Sequence, residues 1–507
     1  MCCIERWCGG RGEIVSNQCP RRRSSSVRWG QALPVVDRPA SAIRIAADEA
    51  DAERRVAHVR RLMFFYQARS FGAADGARRF ATRYGVLAVG AFQFGGMARF
   101  VEWPQVLVLD VRIVVSFVHK LATESVMSAA KLHELTEKYR PEFPIFQSAT
   151  YLNSCSLGAL STRSRSALTE FADLWDRWGA SAWYEYWLAA AQDVRSAFAR
   201  LVGADESETA LAPSISAALA TVTSALPFDR RNRVVTTELD FPTVVYQFLA
   251  KERSGVEVVV LESPDGVDVP VEAFADAVDD RTALIATSHV YYTTGAIQDV
   301  GALSRIAHDH GALCLIDAYQ STGQLPVDAK ELDVDILLTG ALKWLLGGQG
   351  LAYTYVRGEL IDRLIPTTVS WFGVEDQFAF DSRSLRLRSD ARRYELGTPA
   401  VPTIYTARAG LALVEEVGVE RIRRRISSLT EDLIEKVRMA GLSVRGASDA
   451  ERRSGIVMIE HPEPAEAVRK LKANAVICDY RPGAVRLSPH FYNTTGDSQK
   501  AVELLAG

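Results

Sequence analysis

The chain has 507 residues, 48% of them apolar, and a net charge of −3. That length allows more than one domain and a large core. The near-neutral charge, with no long Lys/Arg run along a helix face, excludes a nucleic-acid binder. No apolar stretch reaches the length of a membrane span; the longest candidate, 106–118, is broken by Asp110 and Arg112.

Seven cysteines are present, with Cys2, Cys3, Cys8 and Cys19 crowded at the start and Cys155, Cys314 and Cys478 far apart. An odd, scattered set is no disulfide framework, so a reducing cytoplasm is expected. Paired C-x-x-C spacing is missing, and no metal site is expected. Residues 1–126 are rich in Arg, Ala and Gly and show no repeated strand–helix rhythm. They lack the apolar core of a signal peptide, and Asp48, Glu49, Asp51 and Glu53 argue against a transit peptide. Residues 127–135 read as a short amphipathic helix and a natural beginning. The segment 1–126 is therefore expected to be an upstream extension, poorly ordered or absent from the native protein.

From Tyr151 the texture becomes globular. Residues 160–201 carry helical periodicity, and Trp175, Trp178, Trp183 and Trp187 are expected in the core. Short β-branched runs then alternate with helical stretches. Strands are expected at 233–237, 256–261, 283–288, 312–317 and 336–339, and helices at 271–278 and 300–310. This is an α/β pattern with a mostly parallel sheet in a large domain, 127–382. Ligands in that architecture bind at the carboxyl ends of the strands. Beyond residue 382 the pattern changes to long helices at 404–417 and 420–439 and strands at 442–445, 454–459 and 485–488. A smaller α+β domain, 383–507, is expected there.

Lys343 follows an apolar run and precedes an aromatic, aliphatic and then glycine-rich one. Taken alone it is either a surface lysine at a strand end or a partly buried amine, easily deprotonated, that forms a Schiff base. Asp317 ends the preceding strand. It is either a turn aspartate or the carboxylate that keeps a pyridine nitrogen protonated. Gln320 follows three residues on. The order strand-Asp-x-x-Gln, strand, Lys is more specific than any one of these residues.

Asp317-Ala318-Tyr319-Gln320 followed by Leu342-Lys343-Trp344-Leu345 resembles the class V aminotransferase superfamily. These are pyridoxal-phosphate enzymes of fold type I, including kynureninases, cysteine desulfurases and isopenicillin-epimerase-like proteins. The resemblance covers roughly 127–507. Glu395-Leu396-Gly397-Thr398-Pro399, Ser370-Trp371-Phe372-Gly373, and Arg486-Leu487-Ser488 with Tyr492-Asn493 resemble further family segments in the family's order. The resemblance implies pyridoxal phosphate as cofactor and Lys343, Asp317 and Arg486 as the catalytic set, with Arg486 clamping an amino-acid carboxylate. It implies that Gln320 meets the ring's phenolic oxygen, Ile215 and Ser216 the phosphate, and Phe241 the ring face. Ser288 is a further implied contact. Trp371 and Thr398 would reach a neighbouring subunit's cofactor, which implies a homodimer.

Departures from the pattern narrow the function. Kynureninases carry a tyrosine, and desulfurases a histidine, where Leu342 stands. Kynureninases have a histidine in place of Gln320. Tyr292 stands where desulfurases place an asparagine. Cys478 lies only eight residues before Arg486, on a strand-like run with no room for the desulfurases' cysteine loop, which disfavours persulfide chemistry. The expected function is a pyridoxal-phosphate enzyme acting on an amino acid, an aminotransferase or a kynureninase-like β-lyase. The alternatives are an epimerase of the same class, a substrate without an α-carboxylate, and a binding module that has lost turnover.

Overall fold

The computed structural model describes residues 133–507. The expected upstream extension, 1–126, lies outside them. Seven strands form the large sheet: β1 (Thr209–Ala212), β2 (Arg233–Thr237), β3 (Glu257–Leu261), β4 (Thr282–Ser288), β5 (Leu313–Asp317), β6 (Ile336–Gly340) and β7 (Ala352–Val356). Their spatial order is β1-β7-β6-β5-β4-β2-β3. The strands β2 to β6 are mutually parallel. β7 runs antiparallel to β6 and to β1, so β1 shares the common direction. The α/β architecture with a mostly parallel sheet is thus the one the chain adopts. The inner strands β5 and β6 are buried almost throughout, as expected where helices cover both faces.

The helices place the remaining chain around that sheet. The longer ones are α1 (Thr162–Trp178), α2 (Leu188–Leu201), α3 (Ile215–Thr223), α4 (Pro242–Leu249), α5 (Val271–Ala277), α6 (Val300–Asp309), α7 (Val401–Val417), α8 (Val419–Met439), α9 (Pro464–Ala473) and α10 (Thr495–Ala506). Local chemistry sets several starts. The Ser161 side chain accepts from the Ser164 N–H, and Asp299 from the Ala302 N–H, each satisfying an orphan donor. On α8 the buried residues Ile422, Ile426, Leu429, Leu433 and Val437 recur at three- and four-residue steps.

A second sheet has four short antiparallel strands in the order β10-β11-β9-β8: β8 (Val444–Arg445), β9 (Val457–Glu460), β10 (Asp479–Arg481) and β11 (Ala484–Leu487). The tight turn at Pro482–Gly483, with Gly483 at φ +76°, pairs Asp479 with Arg486.

Residues 160–201 are helical as expected, in two pieces: α1 stops at Gly179, whose φ of +52° suits glycine, and a 3₁₀ turn and a π turn precede α2. The tryptophan expectation needs correction. Of the four tryptophans expected in the core, Trp187 is buried, whereas Trp175 and Trp178 are 59% and 40% exposed. Trp175 packs against Phe171 of its own helix at 5.7 Å, and Trp178 meets Tyr186 at 5.6 Å. Among the described residues no helix is long and apolar enough to cross a membrane.

Candidate active site at the carboxyl edge of the large sheet

Because β4, β5 and β6 run the same way, their carboxyl ends line one edge. Ser288 closes β4 and is the register partner of Asp317, which closes β5. Asp317 is buried and accepts the backbone N–H of Tyr319 at 2.9 Å. Burial pushes its carboxyl up to about 6, opposed by that N–H and by Lys343, while the nearby Asp240 carboxylate adds to the rise. Asp240 was not singled out from the sequence. Its two oxygens tie β2 to β4, accepting from the hydroxyls of Thr236, Thr237 and Thr287 and from the N–H groups of Thr237 and Ser288. Ser288 is held in place through this buried carboxylate.

Lys343 follows the end of β6 by three residues. Its side chain is partly exposed, and Nζ lies over the Tyr319 ring, 3.8 Å from the centroid. Burial pulls its amine down to about 8 against the pull of Asp317 and Cys155, and the Arg486 and Arg481 guanidiniums add to the depression. The turn is braced from behind. The indole N–H of Trp344 donates to Gln320 Oε1 at 2.9 Å, and Gln320 Nε2 donates to the Cys155 carbonyl at 3.0 Å. Gly410 of α7 lies so close that a Cβ there would stand 2.4 Å from the Leu345 carbonyl oxygen.

A strap of chain, 150–158, closes the turn from the front. Thr150–Tyr151 pairs with Val476–Ile477, and Asn153 bridges to Ser488. The Ser154 and Tyr492 hydroxyls lie 2.8 Å apart, and the Gly158 N–H donates to the Leu342 carbonyl at 2.7 Å. A Cβ on Gly158 would meet the Lys343 carbonyl oxygen at 2.4 Å, so this approach requires glycine.

Arg486 is 1% exposed and already engaged. Nε and Nη2 donate to the two Asp479 oxygens at 2.8 and 2.7 Å. Nη2 also donates to Ser156 Oγ at 2.7 Å, and Nη1 to the Tyr292 carbonyl at 3.0 Å. One N–H, on Nη1, is left of the five a guanidinium carries. The Ser156 hydroxyl in turn donates to Asp479 Oδ2 at 2.7 Å. Sequence reasoning missed Asp479 and Ser156. The Pro482–Gly483 turn was the available signal for Asp479, since a two-residue hairpin centred there sets 479 opposite 486.

The other singled-out residues lie as follows. Phe241 is 45% exposed, just before α4, and meets Tyr292 edge-on at 5.2 Å. Ile215 and Ser216 open α3; the preceding Ser214 accepts the Ala217 N–H at 3.1 Å. The first N–H groups of this helix have no intrahelical partner. Trp371 and Thr398 are both exposed. The Ser370 hydroxyl links their two segments, donating to the Glu395 carbonyl at 2.8 Å and accepting the Gly397 N–H at 3.0 Å. Glu395 is itself anchored by a buried ion pair with Arg195 at 2.6 Å. Among the described residues no group of His, Cys, Asp and Glu is arranged to hold a metal ion.

An amine that titrates near 8 beside a buried carboxylate suits an aldehyde-bearing pyridine, since the one offers a nucleophile and the other a partner for the ring nitrogen. The α3 N-terminus suits a phosphate. Edge, donor set and topology together define a fold type I pyridoxal-phosphate enzyme. The aminotransferase class-V family model matches residues 176–478. An uncharacterized aminotransferase, YcbU, of Bacillus subtilis is 37% identical over 375 residues, covering 74% of this chain and 98% of the relative. A kynureninase of Bacillus anthracis is 30% identical over 391 residues, covering 74% and 91%. A solved cysteine desulfurase from Thermococcus onnurineus shares the fold with a TM-score of 0.67 at 21% identity, covering 73% of this chain and 97% of that one. The chain belongs to the class V aminotransferase family, and its cofactor is pyridoxal phosphate.

Proposed function

We propose that the protein converts an amino acid by aminotransferase or kynureninase-like β-lyase chemistry, with Lys343 carrying the cofactor. The observation that supports this most is the meeting of Lys343 and Asp317 at the carboxyl edge of the large sheet, with Arg486 of the second sheet near enough to act on the amine, which burial brings close to neutrality. Bound pyridoxal phosphate supplies an aldehyde that captures amines and a ring that withdraws electrons from the attached carbon. The chain's own residues do the rest. Lys343 Nζ would hold the cofactor's aldehyde and, when free, would accept the proton from the substrate Cα. Asp317 keeps the pyridine nitrogen protonated. Phe241 would cover the ring face, Gln320 and Ser288 would contact the ring, and Ile215 and Ser216 would offer N–H groups to the phosphate.

Arg486 binds the substrate carboxylate end-on in this reading. Asp479 occupies its Nε side, leaving the spare Nη1 N–H and the Nη2 group now shared with Ser156. The Ser156 hydroxyl can give way because it keeps Asp479 as a partner. Persulfide chemistry at Cys478 is disfavoured: burial pushes this thiol up to about 12, so it stays protonated. Trp371 and Thr398, exposed and tied together through Ser370, complete the site of a second copy in a homodimer. A division near residue 382 belongs to the same proposal, supported by the separation of the large sheet (209–356) from the small one (444–487). We also place the protein in a reducing cytoplasm, in keeping with the free thiols of Cys155, Cys314 and Cys478.

The purified protein is expected to take up pyridoxal phosphate with a visible absorbance band, and Lys343→Ala to lose that band and all turnover. A colourless wild-type protein that ignores the cofactor sinks this reading and favours the binding module. Screening amino acids, kynurenine and cysteine derivatives included, for spectral shifts then separates the reaction types.

A further inference from the structure

Leu342 leaves the turn before Lys343 without the polar side chain that kynureninases and desulfurases carry there. A substitute reaches the same turn from the neighbouring strand. Tyr319 lies two residues past Asp317, and its backbone N–H is fixed on that carboxylate at 2.9 Å. Its ring passes under Lys343 Nζ and ends against Gly340, the last residue of β6. A Cβ built on Gly340 would stand 2.4 Å from Cε2, 2.5 Å from Cζ and 2.8 Å from the hydroxyl oxygen of Tyr319. The phenol thus occupies the room that any side chain at 340 would need. Among the described residues its hydroxyl has no hydrogen-bond partner, and burial together with Asp317 pushes the phenol well above its usual range. A protonated, oriented O–H donor stands unused at the carboxyl edge of the sheet.

The register tells how far it stands from the start of α3. Gly340 and Ala212 are both Cα partners of Ala352, one on each side of β7. The ends of β6 and β1 are therefore two strand spacings apart, roughly 10 Å. Past Ala212 the chain turns at once into α3, whose Ile215 and Ser216 N–H groups open toward an anion. The phenol and the helix N-terminus bracket the same interval.

We propose that the Tyr319 hydroxyl donates a hydrogen bond to the phosphate group of pyridoxal phosphate, opposite the α3 N-terminus, in place of the polar group missing at Leu342. This rests on the cofactor reading given under Proposed function. Tyr319→Phe keeps the ring under Lys343 and removes only the donor. Gly340→Ala is a second route, since its methyl must displace the phenol end. Equilibrium binding to the cofactor-free protein is measured with pyridoxal phosphate and with pyridoxal, which has no phosphate; circular dichroism confirms that each variant is folded. Both variants are expected to bind pyridoxal phosphate roughly ten- to a hundredfold more weakly, the range for a hydrogen bond to a charged group, with pyridoxal affinity unchanged. Unchanged phosphate-ester binding by folded Tyr319→Phe overturns the proposal. So does an equal loss for both ligands, which would place the effect at Lys343. Because wild type and Lys343→Ala are measured alongside, failure of the cofactor reading itself appears separately, as no binding by the wild type.

Discussion

Lys343 and Asp317 are both moved toward neutrality by burial, and each has a measurable consequence. The Lys343 amine titrates near 8 in the folded, cofactor-free protein but near about 10.4 when unfolded. Between those values the unfolded chain holds one proton more, so stability rises with pH across that window. Lys343→Met should flatten the rise, as read by thermal unfolding of the cofactor-free protein at about pH 7 and about pH 10. Only the neutral amine attacks an aldehyde, so cofactor uptake followed by rapid-mixing absorbance should climb with pH to a plateau above about 8. Asp317→Asn should move the midpoint down, because the carboxylate helps hold the proton on Nζ. Asp479→Asn should raise KM for a carboxylate-bearing substrate by about tenfold while kcat changes little, since a hydrogen bond to a charged group is lost from the residue that orients Arg486. Steady-state kinetics separates the two constants. Lys343 and Asp317 were legible in the sequence because each stands at or just past the end of an apolar run. Tyr319 was visible in its motif but carried no assigned role, because its meaning depends on a glycine in the neighbouring strand.

At the scale of elements, the inner parallel strands were legible for a physical reason. Strands covered on both faces must be apolar throughout, and a run such as 313–316 has no polar alternation. β1 and β7 escaped notice. The first is a four-residue Thr-Ala-Leu-Ala segment without β-branched weight, and the second follows a glycine-rich turn that reads as loop. Yet those two strands set the interval that the phosphate proposal uses. Helix α7 is another element whose local reading understates its part. Gly410 brings it against the Leu345 carbonyl, where a methyl would stand at 2.4 Å. Gly410→Ala is expected to destabilise the protein by about 1–3 kcal/mol through overpacking, and to loosen the lysine turn enough to weaken cofactor retention. Chemical denaturation and the fraction of bound cofactor after dialysis give the two readouts.

At the scale of the whole molecule, the described residues leave one group of aromatic side chains uncovered. Trp371, Phe378 and Phe380 cluster in the open, with Trp371 stacked on Phe380 at 5.5 Å, and exposed patches of this kind mark association surfaces. A homodimer with shared sites predicts complementation. Lys343→Ala and Thr398→Ala chains, each impaired alone, should on mixed refolding regain up to roughly a quarter of wild-type turnover, since half the dimers are mixed and each carries one intact site. Sedimentation that finds an active monomer, or mixtures no better than their parents, would count against sharing.

The strap at 150–158 also sets the order in which the protein can be assembled. Several of its partners lie more than three hundred residues away: Ser154 on Tyr492, separated by 338, and Ser156 on Arg486, separated by 330. A chain emerging from the ribosome can build the large sheet once residue 356 is free, because all its strands are then present. By then the strap can reach only Leu342, through Gly158, and Gln320, through the Cys155 carbonyl; its remaining partners wait for 476–492. The nascent protein therefore passes through a stage in which the lysine turn exists but its front is only partly held, and the closure that spans the strap's distant partners comes late, as loop-closure entropy favours. Cofactor present during synthesis would meet an accessible amine at that stage, and the strap would then close over a site already filled.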